Sequence, residues 1–472
     1  MGNCFIVDIG KTNIKCQLLD TNGKTLWCNN RANQSLITPY LCFDIETIWQ
    51  WLIDQLRIAN QVECIDIINI STHGACAALL DKQGKLVLPV MDYEHCIPDA
   101  VSQTYDRIRP SFEQTFSPNL PLGLNLGRQL YWQQQVFAEE YAKVDSVLMY
   151  PQYWVWRLTG IKLSEISSFG CHTDLWSPRE NQFSPLVEKL GLRNALPEFK
   201  SASEVAGQPT EVIRAQTGLK SSCRIFSGVH DSNAGFARYL YSLPESNVTL
   251  ISTGTWVVCM TASNDLDHLN EHRDMLANVS VTGTRLSCAR FMGGREFEKI
   301  CSLTDATVGQ EIDISDFEKI IEDDVFALPA FSDTGGPFYA QHGYITGTPV
   351  NGKALATLYL ALMIDYELEL LGVNGDLVLG SSASKNPLLC KLLAQLRPRQ
   401  QVLLSGDTAT TVMGAWCLTR WNLPPPPNLR QFQVAQALQL SGLAAYRLAW
   451  RRQTGAHCGR ATCASVERML PE

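Results

Sequence analysis

Short polar segments of this chain carry the side chains that phosphoryl transfer requires. That reaction needs donors around the phosphates, a metal ion that neutralises charge, and a base beside the attacking hydroxyl. Asp8 ends an apolar run and is followed by Gly10-Lys11-Thr12-Asn13. A tight turn there can present amides and hydroxyls while the carboxylate faces a hydrated Mg²⁺. Taken alone, the segment is equally well an ordinary β-turn with a polar tip.

A second turn of the same kind lies about 240 residues further along the chain. Ser252-Thr253-Gly254-Thr255 follows the apolar run NVTLI and can cradle a phosphate through its backbone amides. Two facing turns can enclose a triphosphate across a cleft. One such turn in each half of the chain favours a nucleotide site over two unrelated loops.

Asp231 lies in a third segment, GVHDSNAG, which follows the apolar stretch CRIFS. A carboxylate at a strand-to-helix junction can project into a cleft and accept a hydroxyl proton. The alternative is that Asp231 caps the following helix, and the local sequence alone favours this alternative.

A fourth segment, LVLGSSASKNPLL, leads from a buried strand through Gly380 and Ser381 into a helix that begins near Pro387. Small residues at this point would let a flat ring such as adenine approach the backbone. An ordinary strand-to-helix loop remains the alternative for this segment.

The hydrophobic pattern predicts an α/β chain that positions these segments at strand ends. Three apolar runs, NCFIVDI, IKCQLLD and KTLWC, predict a meander, followed by a helix over about 45–58 and the strand IDIINIS. This order indicates an RNase H-like unit. A second unit begins near Asn247, with a long helix over about 353–371. A final helix is predicted over about 431–450.

Length and composition limit the number of domains and the classes of binding partner. A chain of 472 residues is longer than one hydrophobic core usually accommodates. We therefore predict domains at residues 1–240 and 241–450, with a tail at 451–472. A net charge of -8 without basic runs argues against nucleic acid and anionic lipid. The absence of a long apolar run argues against membrane spans and favours a cytoplasmic protein. The 16 scattered cysteines predict reduced thiols.

In order and spacing, these segments resemble the FGGY carbohydrate kinases, within the actin, Hsp70 and hexokinase ATPase superfamily. The resemblance covers about residues 3–421, and STGTW and RFMGGREFE look most like the rhamnulose and fuculose kinases. It also rests on the stretches FIVDIGKTNIK, ISTHGACAALLD, VMDYEH, YPQYWVWRLTG and GSSASKNPLL. The resemblance implies two RNase H-like, actin-like ATPase domains that flank a catalytic cleft, with ATP and Mg²⁺ bound there.

The same resemblance implies roles for individual residues. Asp231 would be the general base and a substrate ligand, and Asp8 with Asp231 would hold Mg²⁺ through water. The residues implied at the phosphates are Gly10, Lys11, Thr12, Asn13, Thr253, Gly254 and Thr255, and those at the adenosine are Gly380, Ser381 and Asn386. The residues implied at the sugar are His73, Gly74, Asp92, Tyr93 and Glu94. For His73 alone, a structural histidine is an equally good reading.

Four positions depart from the family pattern. Lys11 stands where many relatives have threonine, so its cation either contacts phosphate or points to solvent. Ser381 replaces a usual glycine in the adenosine loop and puts nucleotide affinity in question. Asp365-Tyr366 replaces the Glu-Gly expected in the long second-domain helix.

The leading hypothesis is therefore ATP-dependent phosphorylation of a terminal hydroxyl of a small sugar. The acceptor would be a ketose such as rhamnulose, fuculose or xylulose, or a polyol. The alternative is a catalytically weakened or non-enzymatic sugar- or nucleotide-binding member of the same superfamily. The oligomeric state stays open, with a homodimer among the alternatives.

Overall fold

The structure is a computed structural model that describes residues 2–244, 247–263, 265–305, 311–338, 341–380, 386–406 and 409–455. Within these ranges the chain forms two compact units. The first unit contains residues 2–244, 277–286 and 409–430, and the second contains the other described residues.

Strands and helices alternate along most of the chain. The strands are β1 Asn3–Ile9, β2 Asn13–Leu19, β3 Thr25–Ala32, β4 Ser35–Ile37, β5 Leu41–Phe43, β6 Ile65–Thr72, β7 Ala77–Leu80, β8 Ser146–Met149, β9 Trp176–Ser177, β10 Gln182–Phe183, β11 Val205–Gly207, β12 Arg224–Phe226, β13 Val229–His230, β14 Val248–Ser252, β15 Val257–Ala262, β16 Met275–Val279, β17 Arg285–Phe291, β18 Ala327–Leu328, β19 Tyr344–Ile345, β20 Asp376–Leu379, β21 Val402–Ser405 and β22 Phe432–Val434. The α-helices are α1 Ile45–Val62, α2 Asp99–Asp106, α3 Phe112–Thr115, α4 Leu126–Val136, α5 Ala138–Tyr141, α6 Tyr150–Thr159, α7 Ile166–Phe169, α8 Pro185–Lys189, α9 Glu211–Thr217, α10 Asp231–Ser242, α11 Gly293–Leu303, α12 Ile314–Glu322, α13 Gly352–Leu370, α14 Pro387–Leu396, α15 Thr410–Leu418 and α16 Leu443–Thr454.

The first sheet has the strand order β11-β12-β6-β1-β2-β3, and β13 pairs with β6 beyond the end of β12. β1, β2 and β3 form the predicted antiparallel meander, whereas β6 is parallel to β1, β12 and β13. The second sheet has the order β16-β17-β15-β14-β20-β21-β22, in which β14 pairs antiparallel with β15 and parallel with β20. The same pattern thus occurs twice, as the predicted two-unit α/β fold requires.

The side chains of β1 alternate between two layers of core. Phe5 and Val7 pack on one face with residues of α1 and α6, while Cys4 and Ile6 pack on the other with α10 and α15. α10 and α15 approach closely because residue 414 is glycine: a Cβ there would overlap the backbone of Ala234. This packing fixes the start of α10 against the sheet.

Asp365 and Tyr366, the two departures in α13, have structural partners. The fully buried Asp365 carboxylate forms ion pairs with Arg397, Arg447 and Arg451, two of which lie on α16. The Tyr366 hydroxyl accepts a hydrogen bond from Arg273. Asp365 therefore attaches α16 to α13.

The prediction of a helix over 431–450 is wrong in its first half. Residues 432–434 form β22, which pairs with β21 at the sheet edge, and α16 begins only at Leu443 after Gly442. Pairing with the exposed edge of a strand outweighs the local helical periodicity there. Residues 456–472, most of the predicted tail, lie outside the described residues.

In the described part of the chain, no helix combines the length and hydropathy needed to cross a bilayer. No two of the described cysteines form a disulfide.

Candidate active site

The parallel pairing in the first sheet brings three predicted site residues to one edge. Asp8 pairs with Ser71 and Ile9 with Thr72, while β13 pairs with the same two residues of β6. The carboxyl ends of β1, β6 and β13 therefore coincide. Asp8, His73 and Asp231 lie at or directly after these ends, which is where α/β sheets usually bind ligands.

Asp231 is the first residue of α10 and has an asymmetric carboxylate. Its Oδ1 accepts hydrogen bonds from the Ser232 backbone N–H at 2.6 Å and the Ser232 hydroxyl at 3.2 Å. The Nε2 atom of His230 lies 3.2 Å from the same oxygen. Among the described residues no donor reaches Oδ2, and about 31% of the side chain is exposed. Oδ1 of Asp231 is therefore fixed by its neighbours, whereas Oδ2 has no donor from the described residues.

The alternative that Asp231 caps α10 does not match this geometry. The N-cap residue is His230, and no side chain from the described residues caps that helix end. Burial raises the pKa of Asp231, and the nearby His73 and the hydrogen bonds from Ser232 oppose the rise. The position in the first turn places the carboxylate at the positive end of the helix dipole.

Asp8 lies close enough to Asp231 for the two charges to interact. Burial and, secondarily, the charge of Asp231 raise the pKa of Asp8 to about 7. Two partly buried carboxylates of like charge form an environment that a divalent cation stabilises. No cluster of three or more metal-ligating side chains occurs among the described residues. Mg²⁺ usually keeps several water ligands and needs only one or two carboxylates, so Asp8 and Asp231 are the residues that could hold it.

The turn after β1 is closed by its own backbone. The Gly10 N–H donates to the Asn13 carbonyl at 2.9 Å, and the Asn33 amide donates to the Gly10 carbonyl at 2.9 Å. Thr12 and Asn13 are exposed at the tip. Thr12 and Asn13 are thus available to a ligand from outside the first unit's core, whereas the backbone groups of Gly10 already have partners within the first unit.

Lys11, in contrast, turns toward the residues implied at the sugar. Its ammonium contacts the carboxylate of Asp92 and lies 3.1 Å from Glu94 Oε2. It also lies 5.5 Å from the ring centre of Tyr93 and 3.5 Å from the Ser35 hydroxyl. Lys11 therefore groups with Asp92, Tyr93 and Glu94 rather than with the exposed tip of the turn.

Asp92 has a fully buried side chain whose two oxygens are both engaged. Lys11 and the Ser35 hydroxyl donate to Oδ2, and the Glu94 N–H donates to Oδ1 at 3.0 Å. Burial alone would raise the pKa of this carboxyl, but these hydrogen bonds outweigh burial and lower it. Asp92 is therefore ionised and fixed in position.

His73 is buried beside this group, and its ring lies against Phe43, Tyr93 and Tyr150. Its Nδ1 lies 3.0 Å from the Gly74 carbonyl oxygen, which can only accept, so the proton is on Nδ1. Nε2 has no hydrogen-bond partner among the described residues. Burial lowers the pKa of His73. A neutral imidazole with a free acceptor nitrogen suits a hydroxyl ligand, which goes beyond a purely structural role.

A cavity of about 1120 Å³ in the second unit contains the second turn. The helix α11 begins directly against this turn: Gly294 N–H donates to the Thr255 carbonyl at 3.2 Å, and a Cβ at position 294 would overlap the Gly254 carbonyl. The lining residues are Thr253, Gly254, Thr255, Val257, Gly294, Arg295, Phe297, Glu298, Glu311, Ile312, Lys353, Thr357, Leu360, Asn386, Pro387, Leu388 and Leu389. Its size and mixed lining suit a nucleotide.

The fourth segment is described only in part. Gly380 follows β20 and donates its N–H to the Ile251 carbonyl at 3.0 Å, while Ser381 lies outside the described residues. Asn386 caps α14 by accepting from Leu389 N–H at 3.1 Å, and its amide lies 3.3 Å from the Thr357 hydroxyl. Asn386 thus lies in the cavity wall with the second turn.

Some residues at these sites were not predicted from the sequence. Ser35 bonds Asp92 from 57 positions away, and Gly294 supports the second turn from a separate segment. His230 belongs to the segment GVHDSNAG but had no assigned role. No local spacing rule links Ser35 or Gly294 to its partner. His230 could have been identified from the sequence, because it directly precedes Asp231.

Two family models match consecutive parts of the chain. The family model described as "FGGY family of carbohydrate kinases, N-terminal domain" matches residues 4–237. The model described as "Carbohydrate kinase FGGY, C-terminal domain" matches residues 245–426.

Among curated proteins, the chain is 27% identical to an L-fuculokinase of Salmonella typhi over 273 residues, 56% of this chain and 57% of the relative. It is 27% identical to a probable L-xylulose kinase of Pasteurella multocida over 285 residues, 55% of this chain and 56% of the relative. The chain thus spans little more than half the length of these curated relatives.

Among solved structures, a carbohydrate kinase from Novosphingobium aromaticivorans is 31% identical, with a TM-score of 0.87 over 96% of this chain and 99% of that one. A ligand-bound xylulose kinase from Lactobacillus acidophilus is 14% identical, with a TM-score of 0.79 over 97% and 99% of the two chains. The second likeness shows the fold alone.

Proposed function

We propose that this chain, which belongs to the FGGY family of carbohydrate kinases, transfers the γ-phosphate of ATP to a terminal hydroxyl of a small ketose or polyol. The observation that carries the proposal is the one-sided carboxylate of Asp231. Its Oδ1 accepts hydrogen bonds from Ser232, and no donor from the described residues reaches its Oδ2. The charges of His73 and Asp8 are close enough to interact with this carboxylate. A general base needs one such oriented, accessible oxygen.

In the proposed reaction Asp231 Oδ2 accepts the proton of the sugar hydroxyl. The hydroxyl oxygen then forms a bond to the γ-phosphorus while the bond from that phosphorus to the bridging oxygen of ADP breaks. The products are a sugar phosphate, ADP and one proton, first held on Asp231. Asp8 and Asp231 would hold Mg²⁺ through water, and the ion would neutralise phosphate charge.

The residues around His73 supply the sugar site in this proposal. His73 Nε2 accepts a hydrogen bond from a sugar hydroxyl, and the exposed carboxylate of Glu94 accepts another. Tyr93 provides an aromatic surface for the sugar carbons. Gly74 and Asp92 shape the same site. Lys11 belongs to this sugar site and not to the residues that would bind phosphate. This pocket would discriminate between sugars by the positions of their methyl and hydroxyl groups.

The nucleotide is assigned to the second unit and to the exposed turn of the first. Thr253, Gly254 and Thr255 would bind phosphate oxygens through backbone amides and hydroxyls. Thr12 and Asn13 would do the same from the first turn, whose shape Gly10 would maintain through its N–H bond to the Asn13 carbonyl. Gly380, Ser381 and Asn386 would lie at the adenosine. Residues 1–240 thus carry the sugar and the base, and residues 241–450 carry most of the ATP site.

The test is ADP release measured with Mg-ATP and a panel of rhamnulose, fuculose, xylulose, ribulose and glycerol. We expect one or more sugars to stimulate release, and Asp231→Asn to lower kcat at least about 100-fold, because general bases contribute about 10²–10⁴-fold. ADP release that ignores the sugar, or an Asp231→Asn variant as active as the wild type, contradicts the proposal. Sugar binding by calorimetry without turnover would instead support the non-catalytic alternative.

A further inference from the structure

We infer that Gln129 is a positioning residue of the sugar site: its side-chain amide joins the turn after His73 to the loop that supports Tyr93. This inference rests on the proposed function, because it concerns the site assigned there to the sugar. Gln129 lies in the first turns of α4 and is only 2% exposed. It acts through His73 and Tyr93 and not on the reacting atoms.

The side-chain amide of Gln129 binds two carbonyl groups that are distant in sequence. Its Nε2 donates to the Ala75 carbonyl at 2.6 Å and to the Gly123 carbonyl at 2.5 Å. Carbonyl oxygens only accept, so the atom that faces both must be the amide nitrogen, whose two protons match the two acceptors. Ala75, Gly123 and Gln129 are all buried. Because a buried carbonyl that loses its donor costs free energy, the amide holds both segments in place.

The first of these segments is the turn that carries His73. Ala75 has a left-handed backbone, with φ of 56°, which a residue with a Cβ adopts rarely. The hydrogen bond from Gln129 stabilises this conformation. The preceding carbonyl, that of Gly74, accepts from His73 Nδ1 at 3.0 Å. The path of this turn therefore determines where the His73 ring and its Nε2 lie.

The second segment is the loop that supports Tyr93. The Gly123 N–H donates to the Tyr93 carbonyl at 2.8 Å. A Cβ at position 123 would lie 3.1 Å from that oxygen and 3.3 Å from Gln129 Cγ, so the approach is close. The rings of Tyr93 and His73 meet edge to face, with centres 5.4 Å apart and planes at 80°. The contacts thus form a closed circuit from His73 through Gln129 to Tyr93 and back.

The start of α4, from which Gln129 projects, is itself fixed. The Gly127 N–H donates to the Thr173 carbonyl at 2.9 Å, and the Leu120 N–H donates to Asn125 Oδ1 at 2.8 Å. These bonds tie the helix and the loop before it to the rest of the first unit. Gln129 therefore holds the two sugar-site segments from a rigid support.

The test is Gln129→Met, which keeps the size of the side chain and removes both donors. Kinetics use the sugar of the panel that gives the highest kcat/KM with the wild type. We expect KM for this sugar to rise about tenfold, because the two segments lose their common donor. KM for Mg-ATP and kcat should stay within about twofold.

Gln133→Met is a matched control on the same helix. Gln133 is also buried, and its amide donates to the Tyr40 hydroxyl at 2.8 Å, outside the circuit of His73 and Tyr93. Urea unfolding should show a loss of stability in both variants, whereas only Gln129→Met should raise KM for sugar. A wild-type KM for sugar in Gln129→Met would overturn the inference. An equal rise in Gln133→Met, or an equal rise in KM for Mg-ATP, would overturn it as well, because it would indicate general loosening of the fold.

A second measurement follows His73 directly and does not depend on turnover. In ¹⁵N-histidine-labelled protein, two-bond ¹H–¹⁵N spectra report the tautomer of each ring, and His73→Gln identifies the His73 signals. We expect a neutral ring protonated on Nδ1, with signals that shift in Gln129→Met and not in Gln133→Met. His73 signals that are unchanged in Gln129→Met would refute the inference. A wild type without sugar-dependent ADP release would refute the proposed function instead, and these spectra would still decide the positioning of His73.

Gly123→Ala tests the same connection if Gln129→Met does not fold. The added Cβ presses on the Tyr93 backbone and on the Gln129 side chain, so KM for sugar should rise about fivefold and the His73 signals should shift. A Gly123→Ala variant with wild-type KM and wild-type His73 signals would contradict the inference.

Discussion

Replacing Lys11 with methionine would separate a sugar-side role of this residue from a phosphate-side role. Methionine keeps much of the apolar side chain and removes the charge that contacts Asp92 and Glu94. Asp92 would then be a buried carboxylate that keeps only the hydrogen bonds from Ser35 and the Glu94 backbone. Both stability and sugar binding should suffer.

The size of the effect follows from burial. Removing one partner of a buried ion pair costs about 3–5 kcal/mol. Asp92 keeps two donors and Lys11 is 19% exposed, so we expect a loss of about 2–3 kcal/mol in the free energy of unfolding at pH 7.5. The Glu94 contact adds little because 55% of that side chain is exposed.

The loss should also depend on pH. In the wild type, the lowered pKa of Asp92 gives stability that is present above the ordinary aspartate pKa, about 3.9, and is lost only as pH falls through the folded value. The wild-type contribution of this group is therefore constant between pH 7.5 and 5. In Lys11→Met, the charge of Lys11 no longer opposes the effect of burial, so the pKa of Asp92 rises. The folded state then gains a proton on Asp92 as pH falls. The difference in the free energy of unfolding between wild type and Lys11→Met should therefore become smaller toward pH 5.

The assay is urea unfolding followed by tryptophan fluorescence for Lys11→Met, Asp92→Asn and the double variant, with the exposed Lys24→Met as control. The coupling free energy between Lys11 and Asp92 should be about 1–2 kcal/mol. In kinetics, Lys11→Met should raise KM for sugar about tenfold and leave KM for Mg-ATP nearly unchanged. A coupling near zero, or a larger rise in KM for Mg-ATP than for sugar, would refute the reasoning.

Two further variants test the second unit. Gly294→Ala places a Cβ against the Gly254 carbonyl, so KM for Mg-ATP should rise about tenfold while KM for sugar is unchanged; Gly406→Ala, with open space around it, should match the wild type in the same kinetic assay. Asp365→Asn leaves three arginines without their buried partner and should lower the free energy of unfolding by about 3 kcal/mol in a denaturation series, against an exposed control, Glu318→Gln. An Asp365→Asn loss equal to that of the control would show that the ion pairs contribute nothing.

The repeated sheet could be predicted from the sequence because its signals are local. The runs NCFIVDI and IDIINIS are apolar strands long enough to be buried, and the turns after them contain glycine or small polar residues. A helix between them, observed over Ile45–Val62, implies the parallel pairing of β1 with β6. From that pairing it follows that Asp8 and His73 lie at the same edge.

The direction of individual side chains could not be predicted in the same way. Lys11 occupies a turn that is typical of a phosphate site, yet its side chain contacts Asp92 across 81 positions and Ser35 across 24. Each of these contacts depends on how separate segments pack, not on any spacing within one segment. The edge strand β22 is a similar case, because its pairing with β21, which lies in a separate segment, decides its conformation.

Asp231 shows how the two kinds of information combine. The strand register explains why its carboxylate is near His73 and Asp8, but proximity alone would equally suit a helix cap or a purely structural charge. What favours a base is the uneven distribution of donors, with two on Oδ1 and none from the described residues on Oδ2. Both donors belong to Ser232, so the residue that follows Asp231 in sequence orients its carboxylate. The candidate base thus depends on its immediate neighbour for direction and on the sheet for position.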